Sequence, residues 1–203
     1  MTPIYLASGN AHKAEEIAAM FRDHGLSNPL FSANAIGGLP DVDENAGTFA
    51  GNALLKAQAL AKQAPDVAWV LADDSGLQVD ALDGDPGVYS ARYAGVGATD
   101  VENTQKLITT MNGIGESERK ARFICVLVLL RKGATQGTSF EGSCEGHIIE
   151  EQRGDQGFGY DPVFVPDGYD KTFAELGPSI KDKLSHRARA VEKLIHFLKL
   201  DRP

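Results

Sequence analysis

Asp73 and Asp74 stand side by side after an apolar run, Ala68-Trp69-Val70-Leu71-Ala72, and before Ser75-Gly76-Leu77. The run has the character of a buried strand, and the pair is expected where the chain turns out of it. α/β proteins place metal ligands and catalytic bases at such strand ends. Two carboxylates beside a buried strand are costly unless a cation compensates them. The chemistry open to them is metal coordination or deprotonation of water; the same residues also fit a solvated Asp-Ser-Gly turn.

A second segment is suited to anions. Ile4-Tyr5-Leu6-Ala7 is a short strand, Ser8-Gly9-Asn10-Ala11-His12-Lys13 follows, and a helical pattern then turns Ile17, Met20 and Phe21 inward. Strand, glycine turn and helix start leave backbone N–H groups and a helix dipole facing a phosphate. Lys13 in the first helical turn opposes that dipole, and a bound phosphate would remove the conflict. The segment has neither Walker nor Gly-x-Gly-x-x-Gly spacing, so a Ser/Asn-capped helix also accounts for it.

Two further groups complete the candidates. Phe158-Gly159-Tyr160-Asp161-Pro162 puts aromatics and a carboxylate on a glycine-flexed loop, which could stack a planar base and accept from ring N–H groups, or form a core-facing turn. Lys181, His186 and Arg187 gather donors for a carbonyl oxygen or phosphate around a helix start, or form a solvated basic face.

The elements that must position these residues are legible from periodicity. Strand 4–7 leads to a helix near 12–24, a short strand near 29–33 and an acidic loop, 39–47. A helix opened by Thr48 is expected near 48–63, then strand 68–72, a turn-rich loop over 80–97 and a helix near 100–112. Strands 120–131 and 136–149 should form a hairpin across Lys132-Gly133-Ala134-Thr135. Strand 163–165 and a helix near 183–200 close the chain. The pattern predicts an α/β fold around a mixed sheet.

Composition narrows the function. The 203 residues fit one domain, 1–203, or one domain with two lobes. A net charge of −8 disfavours nucleic acid as a partner, although a small polyanion could bind with a divalent metal. Phe123–Leu130, the longest apolar stretch, is too short to span a bilayer. No signal-peptide pattern opens the sequence, and Cys125 and Cys144 lack metal-ligand spacing, so a reduced cytoplasmic protein is expected. The five histidines are scattered, which argues against zinc.

Four ordered segments together resemble the Ham1/inosine triphosphate pyrophosphatase family, which hydrolyses non-standard purine nucleoside triphosphates. They are Ser-Gly-Asn-x-x-Lys (8–13), Thr-Phe-x-x-Asn-Ala-x-x-Lys-Ala (48–57), Asp-Asp-Ser-Gly-Leu (73–77) and Phe-Gly-Tyr-Asp-Pro (158–162), with Ser-His-Arg (185–187) after them. Pro86 to Tyr93 also looks like a family loop. The resemblance implies an elongated mixed sheet flanked by helices, in two lobes with a central cleft, and a homodimer. It implies hydrolysis of inosine, deoxyinosine and xanthosine triphosphates to the monophosphate and pyrophosphate, which cleanses the nucleotide pool.

The same resemblance implies roles by position. Ser8, Gly9, Asn10, Ala11, His12 and Lys13 would bind the triphosphate, with Lys56 a further contact. Asp74 would be the catalytic carboxylate and a Mg²⁺ ligand, with Ser75 beside the substrate. Phe158 would stack on the base, with Gly159, Tyr160 and Asp161 in the same wall. Lys181, His186 and Arg187 would read the base's oxygen edge. Glu44 best fits the second metal carboxylate by its spacing to Thr48-Phe49, with Asp41 and Asp43 close enough to compete. Asp74 or Asp73 could act as the base at the α–β linkage. Ser8 replaces a more frequent Thr, Gln156 a frequent Gly and Ile180 a frequent acid, and no reacting group is lost. Maf-like pyrophosphatases fit Ser-His-Arg poorly, a Nudix glutamate helix is absent, and a purine sensor would not need the carboxylates.

Overall fold

The structure is a computed structural model that describes residues 2–200. Its strands are β1 (Ile4–Ala7), β2 (Leu30–Ser32), β3 (Trp69–Val79), β4 (Lys120–Arg131), β5 (Thr138–Ile148) and β6 (Phe164–Pro166). The helices are α1 (Ala11–Asp23), α2 (Phe49–Ala61), α3 (Asp100–Thr110), α4 (Phe173–Leu176), α5 (Pro178–Leu184) and α6 (His186–Leu200). The strands form one sheet in the order β2-β1-β3-β4-β5-β6. β1 pairs in parallel with β2 and β3, whereas β5 and β6 pair antiparallel, so the sheet is mixed and the expected α/β fold holds.

The chain divides into two compact units. The first comprises the residues up to Asp74, then Cys125–Gly142 and the residues from Arg187 on. Ile17, Met20 and Phe21 of α1 and Val191, Leu194 and Ile195 of α6 pack in one core with Leu6, Leu71 and Leu127 of the strands. The apolar spacing of both helices is the 3.6-residue period that the sequence displays. The second unit comprises Ser75–Ile124 and Ser143–His186. Its core gathers Leu77, Leu107, Met111, Phe123, Phe164 and Phe173. Among the described residues no helix is long and apolar enough to cross a membrane.

Three expectations need correction. The Asp pair does not end a strand: β3 runs from Trp69 through both carboxylates to Val79. Its parallel register with β1 stops at Ala7↔Ala72, so Asp73 is the first residue past the end of β1, where that chain turns toward α1. Each carboxylate meets a cation, Lys13 and Arg187 at Asp73 and Lys56 at Asp74, and the strand therefore need not break to solvate them. The C-terminal helix is two helices, α5 and α6, parted at Ser185, whose φ −66° and ψ 162° are extended. The turn-rich stretch is not wholly irregular, since Asp80–Leu82 and Gly87–Arg92 are 3₁₀ turns.

Candidate active site

Asp73 is the centre of a buried ion network in the first unit. Lys13 Nζ donates to its Oδ1 at 2.5 Å, and Arg187 Nε donates to its Oδ2 at 2.9 Å. Arg187 Nη1 reaches Glu16 Oε2 at 2.5 Å. Cys125 Sγ lies 3.4 Å from Asp73 Oδ2. Two acids thus meet two bases, the balance that a buried network requires. Burial alone would push the Asp73 carboxyl up, but Arg187 and Lys13 overrule it and hold the group well below its ordinary 3.8. Both Asp73 oxygens are engaged and its side chain is fully buried, which leaves it little capacity to take a proton from water.

Asp74 points to the other face of the strand and meets different company. Lys56 Nζ, on α2, lies 2.7 Å from Asp74 Oδ1 and 3.5 Å from Glu44 Oε2. Of the acidic-loop candidates, Glu44 is the one at Lys56; Asp43 instead accepts from Asn45 Nδ2 at 2.9 Å, and Asp41 is exposed. Two carboxylates here lean on one ammonium. Burial raises the Asp74 pKa above 3.8, and Lys56 pulls it back only in part, while Glu44 adds to the rise. Asp74 Oδ2 is buried with no hydrogen-bond partner. Among the described residues no three His, Cys, Asp or Glu side chains gather into a metal cluster. Mg²⁺ does not need one, because it binds through one or two carboxylates and keeps waters and substrate phosphates for its other positions. An orphaned carboxylate oxygen beside a second acid fits such an ion.

The anion segment leads into this region from β1. Asn10 caps α1, its side chain accepting from Lys13 N at 3.2 Å, and Asn10 N donates to Ser8 Oγ at 3.2 Å. Gly9 to His12 are exposed. Lys13 answers the dipole conflict by turning its ammonium to Asp73.

The second unit holds the other candidates. Asp161 organises its loop: Oδ2 accepts from Phe158 N at 2.9 Å and from Lys181 Nζ at 2.7 Å. The same ammonium lies 4.2 Å from the Phe158 ring centroid, a cation–π arrangement. Tyr160 is buried and donates to Ser90 O at 2.8 Å. Ser90 Oγ in turn accepts from Leu77 N at 2.9 Å, two residues after Ser75 on β3. His186 is buried and stacks on Phe123 at 4.8 Å between ring centroids. Gly157 has φ +83°, and a Cβ there would strike the Asp161 carboxylate. Gly157→Ala is therefore expected to cost about 2 kcal/mol or more in urea unfolding, from left-handed strain and the displaced carboxylate together. A loss within error of zero would show that the loop yields freely.

Arg187 is thus engaged with Asp73 and Glu16, while in the second unit Lys181 joins the Phe158–Asp161 loop and His186 stacks on Phe123 of β4. Sequence reasoning passed over Glu16, although it lies one turn from Lys13 on α1. It also passed over Asp100 and Thr104 on α3, which grip Gly159: Asp100 Oδ2 accepts from its N–H at 2.7 Å, and Thr104 Oγ1 donates to its carbonyl at 3.2 Å. The Thr99–Glu102 capping box marks that helix start but does not announce a partner 59 residues away.

Comparison with known proteins agrees across nearly the whole chain. A sequence model of the Ham1 family matches residues 4–197. A dITP/XTP pyrophosphatase of Opitutus terrae is 50% identical over 198 residues, covering 96% of this chain and 97% of that protein. One of Oceanobacillus iheyensis is 43% identical over 199 residues, covering 98% of each. The solved structure of a HAM1 protein from Coxiella burnetii superposes with a TM-score of 0.87 at 40% identity, covering 98% of this chain and all of that one (100%). With ordered motifs, a mixed sheet and matches of this extent in agreement, the chain belongs to the Ham1 family.

Proposed function

We propose that this protein hydrolyses non-standard purine nucleoside triphosphates, those of inosine, deoxyinosine and xanthosine, to the monophosphate and pyrophosphate. Removing them would keep them out of DNA and RNA. Relatives named dITP/XTP pyrophosphatase support the substrate class. The observation that carries the chemistry is the Asp74–Glu44–Lys56 group, with more negative charge than its lysine balances and a buried carboxylate oxygen unpartnered.

In this reading Asp74 and Glu44 would hold Mg²⁺. When bound, the ion would offset phosphate charge and polarise the phosphoryl group under attack. Water attacks the α-phosphorus, its proton passes to Asp74, and the α–β bridging oxygen leaves with pyrophosphate. Asp74 suits the base better than Asp73, which is locked between two cations with both of its oxygens engaged. The turn at Ser8–His12, exposed from Gly9 on, would offer N–H donors to the phosphates, and Lys13 and Lys56 would steady the leaving pyrophosphate.

Base choice falls to the second unit. Hypoxanthine and xanthine carry oxygen at C6, where adenine carries an amino group. Lys181 and His186 can donate to that oxygen, while Phe158 supplies a stacking face. Donors facing an amino group leave polar groups unpaired at about 1–3 kcal/mol each. Arg187 would contribute by holding Asp73. The family resemblance carries a homodimer into the proposal, which sedimentation would check.

The test is pyrophosphate release with Mg²⁺ from inosine, xanthosine, adenosine and guanosine triphosphates in parallel. Rapid release from the first two with slow release from the others is expected. Comparable release from adenosine triphosphate would overturn the assigned specificity.

A further inference from the structure

The acidic loop that carries Glu44 lies at the surface, with none of residues 39–47 buried. Asp43 and residues 45–48 are exposed, and Gly47 has φ +69°. Yet Glu44 must meet Asp74 at Lys56 if the two are to share an ion. Besides the Glu44–Lys56 pair, a hydrogen bond to a buried side chain ties this loop to α2. Asn52 in α2 is fully buried, and its Oδ1 accepts from Ala46 N at 3.0 Å. Asn52 and Lys56 are one turn apart on the same helical face, so the helix grips the loop backbone with one residue and the carboxylates with the other.

The neighbouring residue makes the close approach possible. A Cβ on Gly51 would fall 2.5 Å from the Ala46 Cβ and 2.9 Å from Thr48 Oγ1. Gly51 N also donates to that Thr48 hydroxyl, the N-cap of α2, at 3.1 Å. Asparagine is a poor choice for a buried helix interior on stability grounds. Its Nδ2 is buried and without a partner, an unfavourable condition that a leucine would not create. Residues that break a local rule in this way mark positions kept for function.

We infer that Asn52 is a positioning residue for Glu44: it clamps the loop at Ala46, and Gly51 leaves room for the clamp. The inference rests on the metal role proposed for Asp74 and Glu44. It gives the Asn of the Thr-Phe-x-x-Asn-Ala-x-x-Lys segment a task separate from contact with substrate.

Two variants reach the clamp from opposite sides, Asn52→Leu by deleting the acceptor and Gly51→Ala by wedging Ala46 outward. Each is expected to raise the Mg²⁺ concentration for half-maximal pyrophosphate release about 10–100-fold, with kcat at saturating Mg²⁺ within about threefold of the parent. In metal-free protein each should also speed hydrogen exchange at the Ala46 amide, a change read without turnover. Glu44→Gln is the reference. A raised Mg²⁺ requirement in Glu44→Gln with none in the two folded clamp variants would overturn the positioning role alone. Unchanged exchange at Ala46 in Asn52→Leu would do the same. An unmoved Mg²⁺ requirement in Glu44→Gln would overturn the metal role itself, and this inference with it.

Discussion

Asp74→Asn is expected to lower kcat for pyrophosphate release by about 10²–10⁴-fold, the usual contribution of a placed general base, without loss of folding stability at neutral pH. The substitution keeps shape and removes the proton acceptor and the anionic oxygen that buried Oδ2 offers to a metal. The stability half follows from linkage. Burial raises the folded-state pKa of Asp74 above 3.8, so its contribution favours folding below that value and is lost as pH rises through the folded pKa. At neutral pH the native protein thus carries an uncompensated cost that an uncharged asparagine does not. The measurements are turnover with saturating Mg²⁺ and thermal unfolding of the metal-free protein at pH 7. Near-normal turnover would sink the assignment of Asp74 as base. A large drop in Tm with lost turnover would mean that Asp74 is a structural ion-pair partner of Lys56.

The contrast between the two aspartates is also where sequence reading reached its limit. That a carboxylate pair after an apolar run bears chemistry follows from residue types alone. Which member does what does not, because the deciding partners are remote. Arg187 reaches Asp73 across 114 residues of chain, and Lys13 across 60. Lys56 reaches Asp74 across 18. The strand boundary was misplaced for the same reason, since local rules end a strand at charge and cannot see the cations that permit it to continue. By contrast α1, α2 and α3 were legible, because periodicity and the caps Asn10, Thr48 and Thr99 are local signals. The break at Ser185 carries no Gly or Pro to announce it. Glu44 was favoured over Asp41 and Asp43 only through the family resemblance and its spacing to Thr48-Phe49, and its meeting with Lys56, like the Asn52 grip on Ala46, is a contact no periodicity encodes.

Asp73→Asn should produce the opposite profile, with stability lost first and turnover falling through it. The substitution leaves Lys13 and Arg187 facing a neutral amide in a fully buried site, and breaking a buried ion network in this way costs about 3–5 kcal/mol. For a chain of this size that corresponds to roughly 6–20 °C in Tm. The sign with pH is fixed by the lowered pKa. The folded-state carboxyl titrates below its unfolded value of 3.8, so its stabilisation is fully present above 3.8 and is lost as pH falls through the folded pKa. The parent protein should therefore lose stability on acidification below about pH 4, and Asp73→Asn, with no such carboxylate to protonate, should show a shallower slope there. Unfolding by urea across pH 3 to 7 in the presence of chelator measures both quantities. Arg187→Met should also destabilise, and the double variant Asp73→Asn/Arg187→Met should lose less than the two singles added, because each single strands a partner that the double removes. Strict additivity would break the link between the two residues and return Arg187 to the base-reading role implied by Ser185-His186-Arg187. Sub-additivity with turnover that tracks the folded fraction would place Asp73 as the residue that holds Lys13 and Arg187, leaving the proton transfer to Asp74.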